Sequence, residues 1–276
     1  MSSEVKQLGP EQASALGALL ARQPCRNLHL LAALDEQGHW QVPSTLFYGY
    51  FSSGELRAAV LVQPSSGRVV PGACEAADAM ALALGLSGRA PLRSCLGDRH
   101  AVEALSRNLC SSVPRWVQPH RLFTVSPDYL GPFVTPALRL AKEGDLPRLV
   151  QLAAAENKEV LARDPLPASA EQLRADVFDR IRAQRTWVLE MEGRLVFKAD
   201  VAARSRFGAE VQGVFTAPES RSRGYATVAL GQLSRQLLSA LPRVTLRIAE
   251  SGHSLLAVAK KVGYATVRVG QLLVLN

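Results

Sequence analysis

The chain has 276 residues, 47% of them hydrophobic and 20% charged, which excludes a disordered or fibrous protein and is enough for one large or two small domains. The net charge of +8 is uneven: residues 1–133 carry 11 Lys and Arg against 10 Asp and Glu, and residues 134–276 carry 21 against 14. An anionic partner is therefore expected in the second half.

Met-Ser-Ser-Glu-Val-Lys at the start has neither the basic nor the apolar block of a secretory leader. No apolar run approaches the roughly 20 residues of a membrane span. A cytoplasmic protein with no membrane partner is expected. Cys25, Cys74, Cys95 and Cys110 fit no zinc spacing, so reduced thiols and no metal are the reading. There is no basic run and no basic–aromatic platform, which leaves nucleic acid a distant third among partners.

Residues 10–22 read as a helix and Asn27 to Leu34 as a second, cut off near Gly38. Leu46–Phe51 and Leu56–Val62 alternate as strands around the turn formers Ser52-Ser53-Gly54. Arg68–Val70 reads as a short strand, Ala76–Leu86 as an apolar helix and Leu92–Leu96 as another strand. His100–Cys110 reads as a helix capped by Asp98, and Trp116–Val125 is extended. Ser126 to Pro132 is dense in turn formers and reads as a linker. The expected division is residues 1–130 and 134–276.

The second half opens with a strand at Leu138–Ala141. A helix follows from Asp145, with Pro147 in its first turn and Leu149, Leu152 and Ala153 inward, broken at Asp164-Pro165-Leu166-Pro167. Ser169-x-x-Gln172 is a capping box opening a helix with Leu173, Val177, Phe178 and Ile181 inward. Thr186–Met191 and Arg194–Ala202 form a hairpin around Glu192-Gly193. Val244–Ala249 is a strand, Leu255–Lys261 a short helix ended by Gly263, and Ala265–Val274 the last strand.

Between the hairpin and Val244 lies the most informative stretch, Val211 to Ala226. Val211, Val214, Phe215 and Thr216 favour extended backbone. Pro218 ends the ladder. Leu230, Leu233, Leu237 and Leu241 then fall at helical spacing. A loop carrying Arg221, Ser222, Arg223, Gly224 and Tyr225 therefore opens onto a helix N-terminus. Free N–H groups, the helix dipole and guanidinium groups converge there, a site for phosphate or pyrophosphate.

Arg221-x-x-Gly224-x-Ala226 resembles the pyrophosphate signature of the GNAT family of N-acetyltransferases, with Ser222 where a glycine is common. The order of elements over about residues 136–274 is similar to that family's. Phe197-Lys198-Ala199-Asp200 with Val211-Gln212-Gly213-Val214 resembles bacterial members that carry an extra N-terminal domain. The resemblance implies an α/β (α+β) fold: a mixed, mostly antiparallel sheet flanked by helices, preceded by a smaller, degenerate GNAT-like domain. It implies acetyl-CoA as co-substrate and a primary amine on a small molecule, peptide or protein as acceptor. The pantetheine would pair with the backbone of Val214, Phe215 and Thr216, and the pyrophosphate would rest on the loop from Arg221 to Ala226. A backbone N–H of the central strand would hold the oxyanion.

For the proton of the amine, Glu210 is the first choice by position, with Glu190, Glu192 and Asp200 behind it. Gln212 would line the substrate side. In the family's last short helix an asparagine and a tyrosine are usual; here Gly252 and Ala259 stand in those places, while Lys261, Gly263 and Tyr264 are kept. His253 is the substitute for the missing thiolate-protonating tyrosine. The missing tyrosine and asparagine motivate a second reading, a non-catalytic acyl-CoA-binding or protein-interaction module.

Overall fold

The computed structural model describes residues 3–36, 45–110, 113–160 and 170–275. The breaker at Asp164 to Pro167, the capping residue Ser169 and the stop near Gly38 lie outside the described residues. The chain forms two compact units, one of residues 1–122, 203–208 and 266–276, the other of residues 123–202 and 209–265.

The first unit begins with an edge strand, β1 (Ser3–Gln7), that the sequence reading does not contain. Helices α1 (Ala13–Ala21) and α2 (Pro24–Glu36) follow. Residues 10–12, expected in the first helix, form a separate 3-10 turn with Pro10 at its first position, leading into α1. β2 (Leu46–Ser52) and β3 (Glu55–Gln63) are a hairpin, and β4 (Arg68–Pro71) pairs antiparallel with β3. α3 (Ala76–Leu86), β5 (Ser94–Asp98) and α4 (Arg99–Leu109) complete the run. Asp98 stands at the N-cap of α4 as expected, but its carboxylate makes no capping bond; it pairs with Arg26 of α2 instead.

The extended segment β6 (Trp116–Val125) leads into the second unit, and the turn-rich segment after it is ordered. The Gly131 N–H donates to the Val262 carbonyl and Arg235 donates to the Gly131 carbonyl. There follow β7 (Leu138–Leu140), α5 (Leu146–Val160), α6 (Ala170–Arg182) and the hairpin of β8 (Thr186–Met191) and β9 (Arg194–Ser205). Then come β10 (Gly208–Thr216), α7 (Tyr225–Leu238), β11 (Val244–Ala249), α8 (His253–Val262) and β12 (Ala265–Leu275).

Within the second unit the strands run in the order β11-β10-β9-β8-β7, with β6, which passes from one unit to the other, beside β11. Within the first the order is β1-β2-β3-β4-β5-β12. The last strand of the chain thus completes the sheet of the first unit, antiparallel to β5 from Gln271–Asp98 to Leu275–Ser94.

The core beneath the candidate site is built by alternation on the strands and a stripe on the helix. Val211, Phe215, Leu246 and Ile248 are buried from β10 and β11, and Ala229, Leu230, Leu233 and Leu237 from α7. Each fully buried Leu is worth about 1.5–3 kcal/mol. Leu241, expected on the same stripe, lies past the end of α7 and packs only partly buried.

Candidate functional site

β10 and β11 are parallel and paired in register from Ala209–Val244 to Val211–Leu246. No described pairing joins them further, yet both remain strands, to Thr216 and to Ala249. The break coincides with a kink: Gly213 has φ +60°. A Cβ at Gly213 would come within 2.8 Å of Asp200 Oδ2 and 3.0 Å of Lys198 Nζ. Gln212, the first residue past the pairing, is exposed and has no side-chain partner among the described residues. Val214 and Thr216 are half-buried and Phe215 is buried. Because the strands are parallel, the segments that lead into α7 and α8 leave from the same edge of the sheet.

After Thr216 the Ala217 N–H donates back to Val196, and a 3-10 turn at Pro218–Ser220 reverses the chain. Ser222 adopts φ +60° and Gly224 φ +81°, two left-handed residues within three positions. Such alternation points successive N–H groups to one side. Thr227 and Val228 are the first residues of the helix whose N–H groups find a carbonyl, that of Gly224. Among the described residues, the N–H groups of Ser222, Arg223, Gly224, Tyr225 and Ala226 have no partner. A Cβ built on Gly224 meets no protein atom within 4 Å. Ser222, Arg223 and Gly224 are exposed and Tyr225 and Ala226 half-buried, so the unbonded donors sit at the surface, at the positive end of a 14-residue helix.

The two arginines have different surroundings. Arg223 is exposed and has no partner among the described residues. Arg221 is engaged: its Nε donates to the Thr216 carbonyl at 3.2 Å, its Nη2 meets Glu159 of α5 at 2.5 Å, and its guanidinium lies 5.3 Å from the Phe215 ring. It braces the turn, while Arg223 offers a free charge.

The carboxylates named as bases are mostly occupied. Glu210 lies within the paired part of β10, its side chain 3% exposed and ion-paired with Arg247 of β11. Asp200 is buried and accepts from the Thr186 hydroxyl at 2.6 Å. Glu190 pairs with Arg139 and Arg148, and the hydrogen bond from Arg139 holds it below the usual carboxylate range. Glu192 sits in the β8–β9 turn at φ +50°. His253 is the first residue of α8, exposed, with no side-chain partner among the described residues. It stands on the segment following β11, at the same edge as the loop before α7. Ala259, where the sequence resemblance leads one to expect a tyrosine, is fully buried in the core. The hydroxyl of Tyr264 is buried against Ser234 Oγ at 2.8 Å, and burial raises its pKa.

A cluster whose mutual contacts the sequence does not reveal adjoins the kink. Lys198 on β9, its side chain 4% exposed, meets Glu156 Oε2 at 2.6 Å, Asp200 Oδ2 at 3.5 Å and the Gly213 carbonyl at 3.0 Å. Its sequence signals are Lys198 and Asp200 inside the otherwise apolar run Leu195 to Val201.

In the first unit the corresponding turn is built differently. There the Gly72 N–H donates to Ala59, as Ala217 does to Val196, but the next N–H, of Ala73, is taken by the Asn27 side chain at 2.7 Å. Glu75 and Asp78 stand at the start of α3, so negative charge meets an incoming anion. Burial, then the nearby Asp98 carboxylate, pushes the Cys74 thiol up to about 12. No metal-binding group of His, Cys, Asp or Glu occurs among the described residues, and none of their helices is long and apolar enough to cross a membrane.

The fold is that of the GNAT N-acetyltransferases in tandem arrangement, as comparison with solved structures shows. A Drosophila protein is 17% identical over 100% of this chain and 99% of its own, with a TM-score of 0.69. A GCN5-related N-acetyltransferase from Sphaerobacter thermophilus is 14% identical over 99% of this chain and 94% of its own (TM-score 0.59). A tandem GNAT protein from the clavulanic acid biosynthesis pathway is 14% identical over 99% and 98% (TM-score 0.57). No protein-family model matches the sequence, and a search of curated proteins finds no match.

Proposed function

We propose that the second unit binds acetyl-CoA and transfers its acetyl group to a primary amine. The observation that carries this reading is the run of unbonded N–H groups from Ser222 to Ala226, open to solvent at the N-terminus of α7. Five donors and a free Arg223 suit a pyrophosphate, which offers several acceptor oxygens and negative charge. Past Val211, the edge of β10 toward β11 suits an extended pantetheine arm lying as an added strand along Val214, Phe215 and Thr216.

The co-substrate supplies an activated thioester. The amine nitrogen forms a bond to the acyl carbon, the C–S bond breaks, and the amine loses a proton as the thiolate gains one. A backbone N–H of β10 steadies the carbonyl oxygen as it takes up negative charge. His253 serves as proton donor to the thiolate, since Ala259 offers no hydroxyl. Gln212 contacts the acceptor. With Glu210 held by Arg247, the amine loses its proton through water. The first unit serves as scaffold, and the protein works in the cytoplasm.

The alternative is an acyl-CoA-binding module without turnover, favoured by the buried Ala259 and the ion-paired Glu210. A thermal-shift titration with acetyl-CoA, CoA and ATP tests the shared premise. Ligand at about 100 times its Kd adds about 2.7 kcal/mol to the stability of the folded state. A saturable rise with acetyl-CoA and none with ATP is expected; no rise with either CoA species refutes the site. A subsequent screen of amines for thiol release separates enzyme from module.

A further inference from the structure

Lys198 has three N–H donors and three partners: Glu156, Asp200 and the carbonyl of Gly213. Burial works against its charge, but the two carboxylates outweigh burial and raise its pKa, so the ammonium is kept. Enclosing three charged groups is costly, and an apolar residue of similar volume is often as stable or more so. What an apolar residue cannot do is hold the Gly213 carbonyl. That carbonyl belongs to the kinked residue of β10, where pairing with β11 has ended.

We propose that Lys198 is a positioning residue for acyl transfer, fixing the Gly213–Val214 peptide so that the Val214 N–H meets the thioester oxygen. The peptide is planar and trans, so its N–H points opposite to its carbonyl. With the carbonyl bonded to the Lys198 ammonium, the Val214 N–H of the same peptide points away from that ammonium. A cation on the carbonyl also polarises the peptide and strengthens its N–H as a donor. Gly213 is part of the device, because any Cβ there collides with Asp200 and Lys198. The inference rests on the acetyl-CoA reading above.

The test uses the full chain, with Lys198→Met and the double variant Lys198→Met/Asp200→Asn, which removes the carboxylate that the single change strands. Calorimetry gives the Kd for acetyl-CoA and for CoA, and the amide resonance of Val214 is followed in both titrations. In the wild type the Val214 amide is expected to shift further with acetyl-CoA than with CoA. In the variants that difference is lost and any preference for acetyl-CoA over CoA disappears, while CoA affinity, set by the loop before α7, is retained. A purely structural Lys198 would lower the melting temperature and leave the difference intact, which overturns the proposal. Should neither variant melt cooperatively, the wild type decides: equal Val214 shifts with both ligands overturn it, and unequal shifts support it. A wild type that binds neither ligand refutes the cofactor reading and this inference with it.

Discussion

Gly224→Val separates the cost of a strained backbone from the loss of a ligand. Gly224 lies at φ +81° and ψ −2° with nothing within 4 Å of a Cβ. A Cβ there meets nothing within 4 Å, so the cost to the fold is set mainly by the left-handed backbone, about 1–2 kcal/mol for an L-residue. For a chain of this size that lowers the melting temperature by roughly 2–6 °C, and folding survives. Binding suffers more. The new side chain fills the space over the N–H groups of Gly224 and its neighbours. A hydrogen bond to a charged group is worth about 1.5–3 kcal/mol. Losing two of them costs about 3–6 kcal/mol, or roughly 10²–10⁴ in Kd for CoA. Gly224→Asn sharpens the test, because Asn visits the left-handed region more readily. It should regain most of the stability and still fail to bind. Calorimetry with CoA and thermal melts on both variants supply the numbers. Wild-type affinity in either variant would refute the assignment of this loop.

Arg223→Ala should weaken CoA binding and flatten its dependence on salt with little change in melting temperature, because the side chain has no partner among the described residues; calorimetry at several salt concentrations reads this. Asp145 is 3% exposed and accepts from Arg139, Arg148 and the Lys142 N–H, so Asp145→Ala should cost about 1.5–3 kcal/mol in a urea titration, the arginines it leaves being partly solvated. The hydrogen bond from Arg139 is the main reason the Asp145 pKa is lowered in the folded state. Its contribution is therefore full above the unfolded carboxyl's value of about 3.9 and is lost as pH falls through the lower folded value. The melting temperature of the wild type should fall more steeply in that acid range than that of Asp145→Asn. Gly263→Ala places a Cβ 1.9 Å from the Tyr129 carbonyl oxygen, and should strip the 126–132 segment from α8, seen as faster hydrogen exchange at Gly131.

The stretch from β10 to α7 was legible because its signals are local. Pro218 cannot extend a ladder, Gly224 takes a backbone that L-residues avoid, and the leucines of α7 recur at helical spacing. Strand β1 was not legible: Ser3, Glu4, Lys6 and Gln7 show no alternation, and an edge strand can be polar on both faces. Asp98 looked like a cap because the bond from Arg26 that redirects it comes from 72 residues away. The kink at Gly213 and the burial of Lys198 are likewise settled by contacts across strands and with α5. The surroundings of Glu210 follow from Arg247 on a neighbouring strand, which spacing within β10 does not reveal.

The place of β12 bears on how the chain comes off the ribosome. Its partner β5 ends at Asp98, and the strand that covers that edge ends at Leu275. At about 5–20 residues per second the nascent chain spends roughly 10–35 s with β5 made and its partner not yet synthesised. During that interval the first half displays unpaired strand backbone, the feature on which chains aggregate. Ribosome-stalled chains in which residues 266–275 are not yet outside the ribosome should accordingly recruit chaperones, and chains in which β12 is free to pair with β5 should not.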